Sequence, residues 1–189
     1  MSYLVGIEYM SKIGRQPIRL SSAKVQIDGS KISINGSKAK FEHTIPDIIT
    51  ATIDAENCLK LDVKDRNRKN NTLWGLHRAL LANMVQGAER GFEQKVTIVG
   101  LGYKAIQSGN KLTFSLGYSN KIEYDLPEGV SVQVDKSGQQ LVFSSSDKGK
   151  LGDACDTVRY FRRPEPYKGT GIIRENDVVI RKAGKTKSS

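Results

Sequence analysis

The chain has 189 residues, enough for one ordinary domain or two small ones, and 38% of them are hydrophobic. Lys plus Arg number 30 against 20 Asp plus Glu, giving a net charge of +10, so polyanionic partners are favoured, nucleic acid first and an anionic membrane surface second. No stretch approaches the roughly 18 consecutive apolar residues that a spanning helix needs, and Met1 to Met10 lack the basic flank and apolar run of a secretory signal.

In chain order, residues 1–11 read as an N-terminal extension, and Met10 is a possible start because the basic, patterned sequence follows it directly. Residues 12–40 carry Lys12, Arg15, Arg19, Lys24, Lys31, Lys38 and Lys40 against Asp28 alone, a net of +6. Within them Asp28-Gly29-Ser30 predicts a hairpin turn, followed by the alternating strand Lys31-Ile32-Ser33-Ile34. After Pro46 come another alternating strand and a third, Cys58-Leu59-Lys60-Leu61-Asp62-Val63. Leu73, Leu76, His77, Leu80, Leu81, Met84 and Val85 then recur at helical spacing, with Asn71 or Thr72 as the cap. Residues 41–91 are electrically neutral.

The pattern restarts about eighty residues on. Gly36-Ser37-Lys38-Ala39-Lys40-Phe41-Glu42-His43-Thr44-Ile45-Pro46 can be laid on Gly117-Tyr118-Ser119-Asn120-Lys121-Ile122-Glu123-Tyr124-Asp125-Leu126-Pro127. Gly, Lys, Glu and Pro coincide, and apolar residues match apolar ones. Ser108-Gly109-Asn110 is the second hairpin turn, with the strands Lys111 to Leu116 and Gln140 to Phe143 in equivalent places. Leu151, Ala154, Cys155, Val158 and Phe161 or Arg162 form a thinner helical stripe, capped by Asp147 and ended by Pro164. The fold class is therefore α+β: two tandem duplicated domains, each an antiparallel β-sheet with one packed α-helix. The first domain is assigned to residues 12–91, the second to 92–163, and a basic C-terminal tail to 164–189. Residues 159–189 repeat the net of +6, so charge gathers at both ends of a neutral middle.

Catalytic tools are missing. There is no Gly-x-x-x-x-Gly-Lys-Ser/Thr phosphate loop, Gly100-Leu101-Gly102 is not continued into a dinucleotide fingerprint, and there is no Gly-x-Ser-x-Gly elbow. Glu42 and Glu123 read as solvated polar positions on strand faces. Cys58 and Cys155, nearly a hundred residues apart, read as reduced core thiols rather than a disulfide. His43 and His77, the two histidines, show no metal-ligand spacing with a cysteine or with each other. The expectation is no enzyme, no cofactor, no metal, no small-molecule substrate and no membrane.

The decisive stretch is Arg159-Tyr160-Phe161-Arg162-Arg163 followed by Pro164-Glu165-Pro166-Tyr167-Lys168-Gly169-Thr170-Gly171-Ile172. Prolines stiffen the backbone, and glycines let the main chain approach a phosphate closely. Arginines fork onto phosphates, and a tyrosine can stack on a base or bond a ribose. Expected RNA-binding residues are Arg159, Arg162, Arg163, Tyr167, Lys168, Gly169, Gly171, Arg174, Arg181 and Lys182. A plain C-terminal linker is the alternative for the same residues, since basic tails are common.

This segment resembles the signature of the bacterial-type large-subunit ribosomal protein six family. Arg78 to Gly87, Gly91-Phe92, Lys95 to Ala105, Leu116-Gly117-Tyr118-Ser119, Leu126-Pro127 and the opening Met10 to Ile18 resemble it too. Residues 1–9 have no counterpart, and Thr170 stands where the family usually has lysine. The resemblance implies two tandem sheet-plus-helix domains arisen by duplication and a cytoplasmic, ribosomal location. It also implies direct binding to 23S ribosomal RNA, mostly by the second domain and tail, beside neighbouring proteins near the stalk base and translation-factor site. A non-ribosomal RNA-binding regulator is the rival reading, and it would share the basic ends.

Overall fold

The computed structural model describes residues 11–185; the extension expected up to Met10 lies outside the described residues. The chain divides into two compact units, Met1–Gly91 and Phe92–Ser189, each with its own apolar core.

In the first unit, β2 (Lys24–Asp28), β3 (Lys31–Asn35) and β4 (Lys40–Thr44) form one antiparallel sheet in the order β2-β3-β4. Alternation decides which face is covered: Ile32 and Ile34 are fully buried while Lys31, which opens the strand, is exposed. The predicted turn holds, with Asp28 paired to Lys31 and Gly29 at φ 61°, a left-handed position that favours glycine. A second sheet runs in the order β1-β6-β5, from β1 (Ile18–Arg19), β5 (Ile49–Ile53) and β6 (Cys58–Val63). Leu59, Leu61 and Val63 turn inward on β6, each worth about 1.5–3 kcal/mol by burial.

Helix α1 (Arg68–Glu89) packs on these strands. It begins earlier than the sequence suggested, because Asn67 rather than Asn71 or Thr72 caps it, its side chain accepting from the Asn70 N–H at 2.9 Å. Its buried stripe also differs. Trp74, Leu81, Val85 and Ala88 face the core, whereas Leu73, Leu76 and Leu80 are 36%, 50% and 36% exposed. The apolar band is wider than the contact, and Trp74 selects the rotation. Its indole N–H donates to the Leu61 carbonyl at 2.9 Å, and its ring lies where a Cβ on Gly14 would sit, 2.5 Å away.

The second unit repeats the plan. β8 (Lys104–Ser108), β9 (Lys111–Ser115) and β10 (Ile122–Asp125) make a three-stranded sheet in the order β10-β9-β8. β7 (Phe92–Val99), β11 (Val130–Val134), β12 (Gln140–Ser145) and β13 (Gly171–Arg174) make a four-stranded one in the order β11-β12-β7-β13. Helix α2 (Lys148–Phe161) covers them, capped as expected by Asp147, which accepts from Gly149 and Lys150. Leu151, Ala154, Cys155 and Val158 point into a core built on Phe114, Phe143, Leu141 and Ile172.

The duplication is visible in single hydrogen bonds. Pro46 accepts from the Ile49 N–H at 2.9 Å and Pro127 from the Val130 N–H at 3.1 Å; Ile45 N–H bonds Ser30, and Leu126 N–H bonds Asn110. Two details depart from the sequence reading. Each unit holds two sheets rather than one, because the chain turns a corner at those prolines. And the segment assigned to a basic tail supplies β13, which pairs with β7 from Gly171 opposite Val99 to Arg174 opposite Val96.

Candidate nucleic-acid interface

Chain reversal after α2 builds the site. The helix ends at Phe161, and Arg162 is already extended. Its carbonyl accepts from the Ile172 N–H at 2.8 Å, the Glu165 N–H donates to the Thr170 carbonyl at 2.9 Å, and the Gly169 N–H donates to the Glu165 carbonyl at 3.0 Å. Residues 162–172 thus form a closed, hydrogen-bonded loop stiffened by Pro164 and Pro166. Thr170 secures it: its hydroxyl donates to the Glu165 carboxylate at 3.1 Å. The following segment folds back, with the Lys182 N–H donating to the Pro166 carbonyl at 2.8 Å.

The expected binding residues fall into three groups. Arg163, Tyr167, Lys168, Arg181 and Lys182 are exposed, and the bond from Lys182 to Pro166 brings the last two beside the loop. Arg159, Arg162 and Arg174 are half-buried, and Gly169 and Gly171 are buried. The two glycines are packed inside the loop, where a side chain would not fit without movement. A Cβ on Gly169 would stand 3.1 Å from the Arg181 guanidinium, and one on Gly171 would stand 2.7 Å from the Arg163 carbonyl oxygen.

Arg159 and Arg174 are engaged with carboxylates. Arg159 Nε lies 2.8 Å from Asp177, Arg174 Nη1 lies 2.8 Å from Asp156, and Arg174 Nη2 lies 3.3 Å from Asp177. Burial alone would raise the Asp177 carboxyl, but hydrogen bonds from Arg174 outweigh it and hold the group below the usual carboxylate range.

Arg162 and Arg163 sit on aromatic rings. The Arg162 guanidinium carbon is 4.7 Å from the Tyr118 ring centroid and 5.7 Å from that of Tyr103, and Arg163 is 4.3 Å from Tyr160. Tyr118 also donates its hydroxyl to the Phe161 carbonyl at 3.2 Å, tying the β9–β10 connection to the end of α2. Tyr103 fits because its neighbours are glycines: a Cβ on Gly100 or Gly117 would fall 2.4 or 2.9 Å from its ring. These tyrosines belong to Gly100-Leu101-Gly102-Tyr103 and Leu116-Gly117-Tyr118-Ser119. The sequence reading singled out both motifs but assigned neither tyrosine to the site, since nothing in spacing alone places them against Arg162.

Tyr118, Tyr160 and Tyr167 are 49%, 61% and 55% exposed, and among the described residues the exposed aromatics all lie in the second unit. Cations interleaved with exposed rings suit a nucleic acid, whose phosphates and bases they meet respectively. Among the described residues no group of three or more His, Cys, Asp or Glu could hold a metal ion, and no helix is long and apolar enough to cross a membrane.

Two sheet-plus-helix units, the second presenting one cationic loop beside exposed tyrosines, define an α+β protein with a candidate polyanion-facing surface. Comparison with known proteins makes this particular. The family described as Ribosomal protein L6 matches residues 99–175. The large ribosomal subunit protein uL6 of Gloeothece citriformis is 40% identical over 178 residues, covering 94% of this chain and 98% of its own length. That of Paraburkholderia phymatum is 39% identical, covering 94% and 100%, and the uL6c of Trieres chinensis is 38% identical, covering 94% and 98%. The chain belongs to the uL6 family of large-subunit ribosomal proteins. It is accordingly a structural component of the ribosome and not an enzyme.

Proposed function

We propose that this chain binds 23S ribosomal RNA directly, through the cationic loop of the second unit, and takes its place near the stalk base and the translation-factor site among neighbouring large-subunit proteins. The observation that carries the RNA reading is the gathering of Arg162, Arg163, Lys168, Arg181 and Lys182 on one hydrogen-bonded loop and its return segment, with Tyr167 on the loop, Tyr118 against Arg162 and Tyr160 against Arg163. Cations there meet phosphates, and rings stack on bases or bond riboses. The family resemblance is what supports the proposed position on the subunit.

Arg159, Arg162 and Arg163 also lie at the negative end of α2, where a cation can serve the helix alone. Replacing Arg162, Arg163 and Lys168 together with alanine separates the two roles. If these side chains hold RNA, affinity falls by about two orders of magnitude and the log–log salt slope shrinks by roughly 0.9 for each lost duplex phosphate contact. The fold survives, as circular dichroism would record. A triple variant that binds 23S RNA with wild-type affinity and slope refutes the site. Co-sedimentation with large subunits at high salt tests the ribosomal placement against a free RNA-binding regulator.

A further inference from the structure

The cationic face needs its returning segment to stay in place, and little apolar burial holds that segment. Val178 and Ile180 are 89% and 78% exposed. Just before them stands Asp177, whose side chain is only 14% exposed. It meets Arg159 of α2 at 2.8 Å, and it accepts from both the side chain and the backbone N–H of Arg174 of β13, each at 3.3 Å. The Asp177 N–H in turn donates to the Arg174 carbonyl at 3.0 Å, closing a tight turn. Arg174 is fixed from the other side by Asp156 of α2 at 2.8 Å. Two arginines and two aspartates thus lock the exit of β13 onto α2 with no net charge. Beyond this lock the chain runs to Lys182, bonded to Pro166, and places Arg181 against Gly169.

We propose that Asp177 is a positioning residue for RNA binding: it touches no RNA, but it aims the returning chain so that Arg181 and Lys182 join Lys168 on one face. The inference rests on the RNA reading above. It also reassigns Arg159 and Arg174 from phosphate contacts to the lock.

Charge alone gives the opposite expectation, which makes the test sharp. Asp177→Asn in the full chain adds one unit of positive charge, and long-range attraction to a polyanion would then strengthen binding. Positioning requires weaker binding. Affinity for transcribed 23S ribosomal RNA is expected to fall by about tenfold, and the salt slope by up to roughly 0.9 for each of Arg181 and Lys182. Asp177→Glu restores part of the affinity. Asp177→Asn adds nothing on top of Arg181→Ala with Lys182→Ala, because Asp177 acts only through those two side chains. Amide hydrogen exchange provides an arm that needs no RNA: the Lys182 N–H loses protection in Asp177→Asn and regains it in Asp177→Glu. Asparagine as tight as or tighter than wild type, with an unchanged slope, overturns the positioning role whatever exchange shows. Should the wild-type chain fail to bind 23S RNA in a salt-dependent way, the RNA reading falls instead. The exchange measurement then decides whether the lock orders the segment, and retained Lys182 protection in Asp177→Asn overturns that too.

Discussion

Gly171→Ala isolates the part of the interface that is geometry rather than charge. Gly171 has φ 144°, a conformation side chains rarely adopt, and an added Cβ would come 2.7 Å from both the Arg163 carbonyl oxygen and the Pro164 Cα. The backbone conformation alone costs about 1–3 kcal/mol for a residue with a side chain. Relieving the overlap means pulling β13 away from Arg163, which strains the bond from the Ile172 N–H to the Arg162 carbonyl, worth about 1 kcal/mol. It also loosens Ile172, a fully buried residue of the second core. The expected loss is about 2–4 kcal/mol. Gly169→Ala is the control two residues away. Its φ of 71° costs about 1–2 kcal/mol, but the neighbour it meets is the end of the flexible Arg181 side chain, which can swing aside. Urea unfolding followed by far-ultraviolet circular dichroism measures both. A Gly171→Ala variant destabilised by less than Gly169→Ala would refute the assignment of Gly171 to close backbone packing.

Three further outcomes follow from the structure. In the first unit, the Glu89 carboxylate accepts the N–H groups of Ser21, Ser22 and Ala23 at 2.7, 2.9 and 3.0 Å. Burial would raise it, but these bonds outweigh burial and hold it below the usual value. Its contribution is therefore present above pH of about 4.3 and lost as pH falls through the depressed folded value; Glu89→Gln should cost about 1–2 kcal/mol at neutral pH and flatten acid unfolding there, and an unchanged acid limb would count against it. His43 and His77 share one hydrogen bond, Nε2 to Nδ1 at 2.8 Å, and burial lowers both, with His77 also disfavouring the charge on His43. Stability from this pair is complete above pH of about 6.5 and declines as pH falls through the lowered folded values; urea midpoints from pH 8 to 5 should fall less steeply in His77→Gln, and equal slopes would sink the idea. Burial pushes the Cys155 thiol up to about 12, so it should resist a thiol reagent until the chain unfolds, and rapid labelling of the folded protein would contradict this.

The sequence patterns that rest on local chemistry translated directly into structure. Period-two alternation located β3, β6, β9 and β12, the Asp-Gly and Ser-Gly turns located two hairpins, and Asp147 located the start of α2. What failed depends on three-dimensional choice. The seven-residue apolar band on α1 is compatible with more than one rotation, and only the fit of Trp74 against Gly14 and Leu61 selects which leucines are buried. The strand identity of Gly171–Arg174 was hidden because four residues beside a Pro-Gly loop read as tail, and only the edge of β7 turns them into sheet. Within the candidate interface, the exposed cations were legible as a basic cluster. Tyr103 and Tyr118 were not, because they reach Arg162 across connections far apart in sequence.

Net charge by itself does not say which end of the chain meets RNA, since residues 12–40 and 159–189 carry the same +6. Placement separates them. The seven cations of the first stretch are all exposed, but strand pairing spreads them: Lys24 and Lys40 flank Asn35 at one end of a sheet, Lys31 stands at the other, and Arg19 lies on β1 of the second sheet. The described part of that unit exposes no aromatic ring with them. The second stretch puts two of its cations into the lock with Asp156 and Asp177, lays two on tyrosine rings, and returns Arg181 and Lys182 to the loop that carries Lys168. Docking at one place needs convergence, because only cations held close together can meet neighbouring phosphates of one short stretch of backbone and fix its register. Scattered cations keep a unit soluble and draw it toward a polyanion, while gathered ones fix where it docks. The two units share one duplicated frame, down to the bonds at Pro46 and Pro127, and it is the loop after α2, stiffened by proline and closed over two buried glycines, that makes the second one the candidate for recognition.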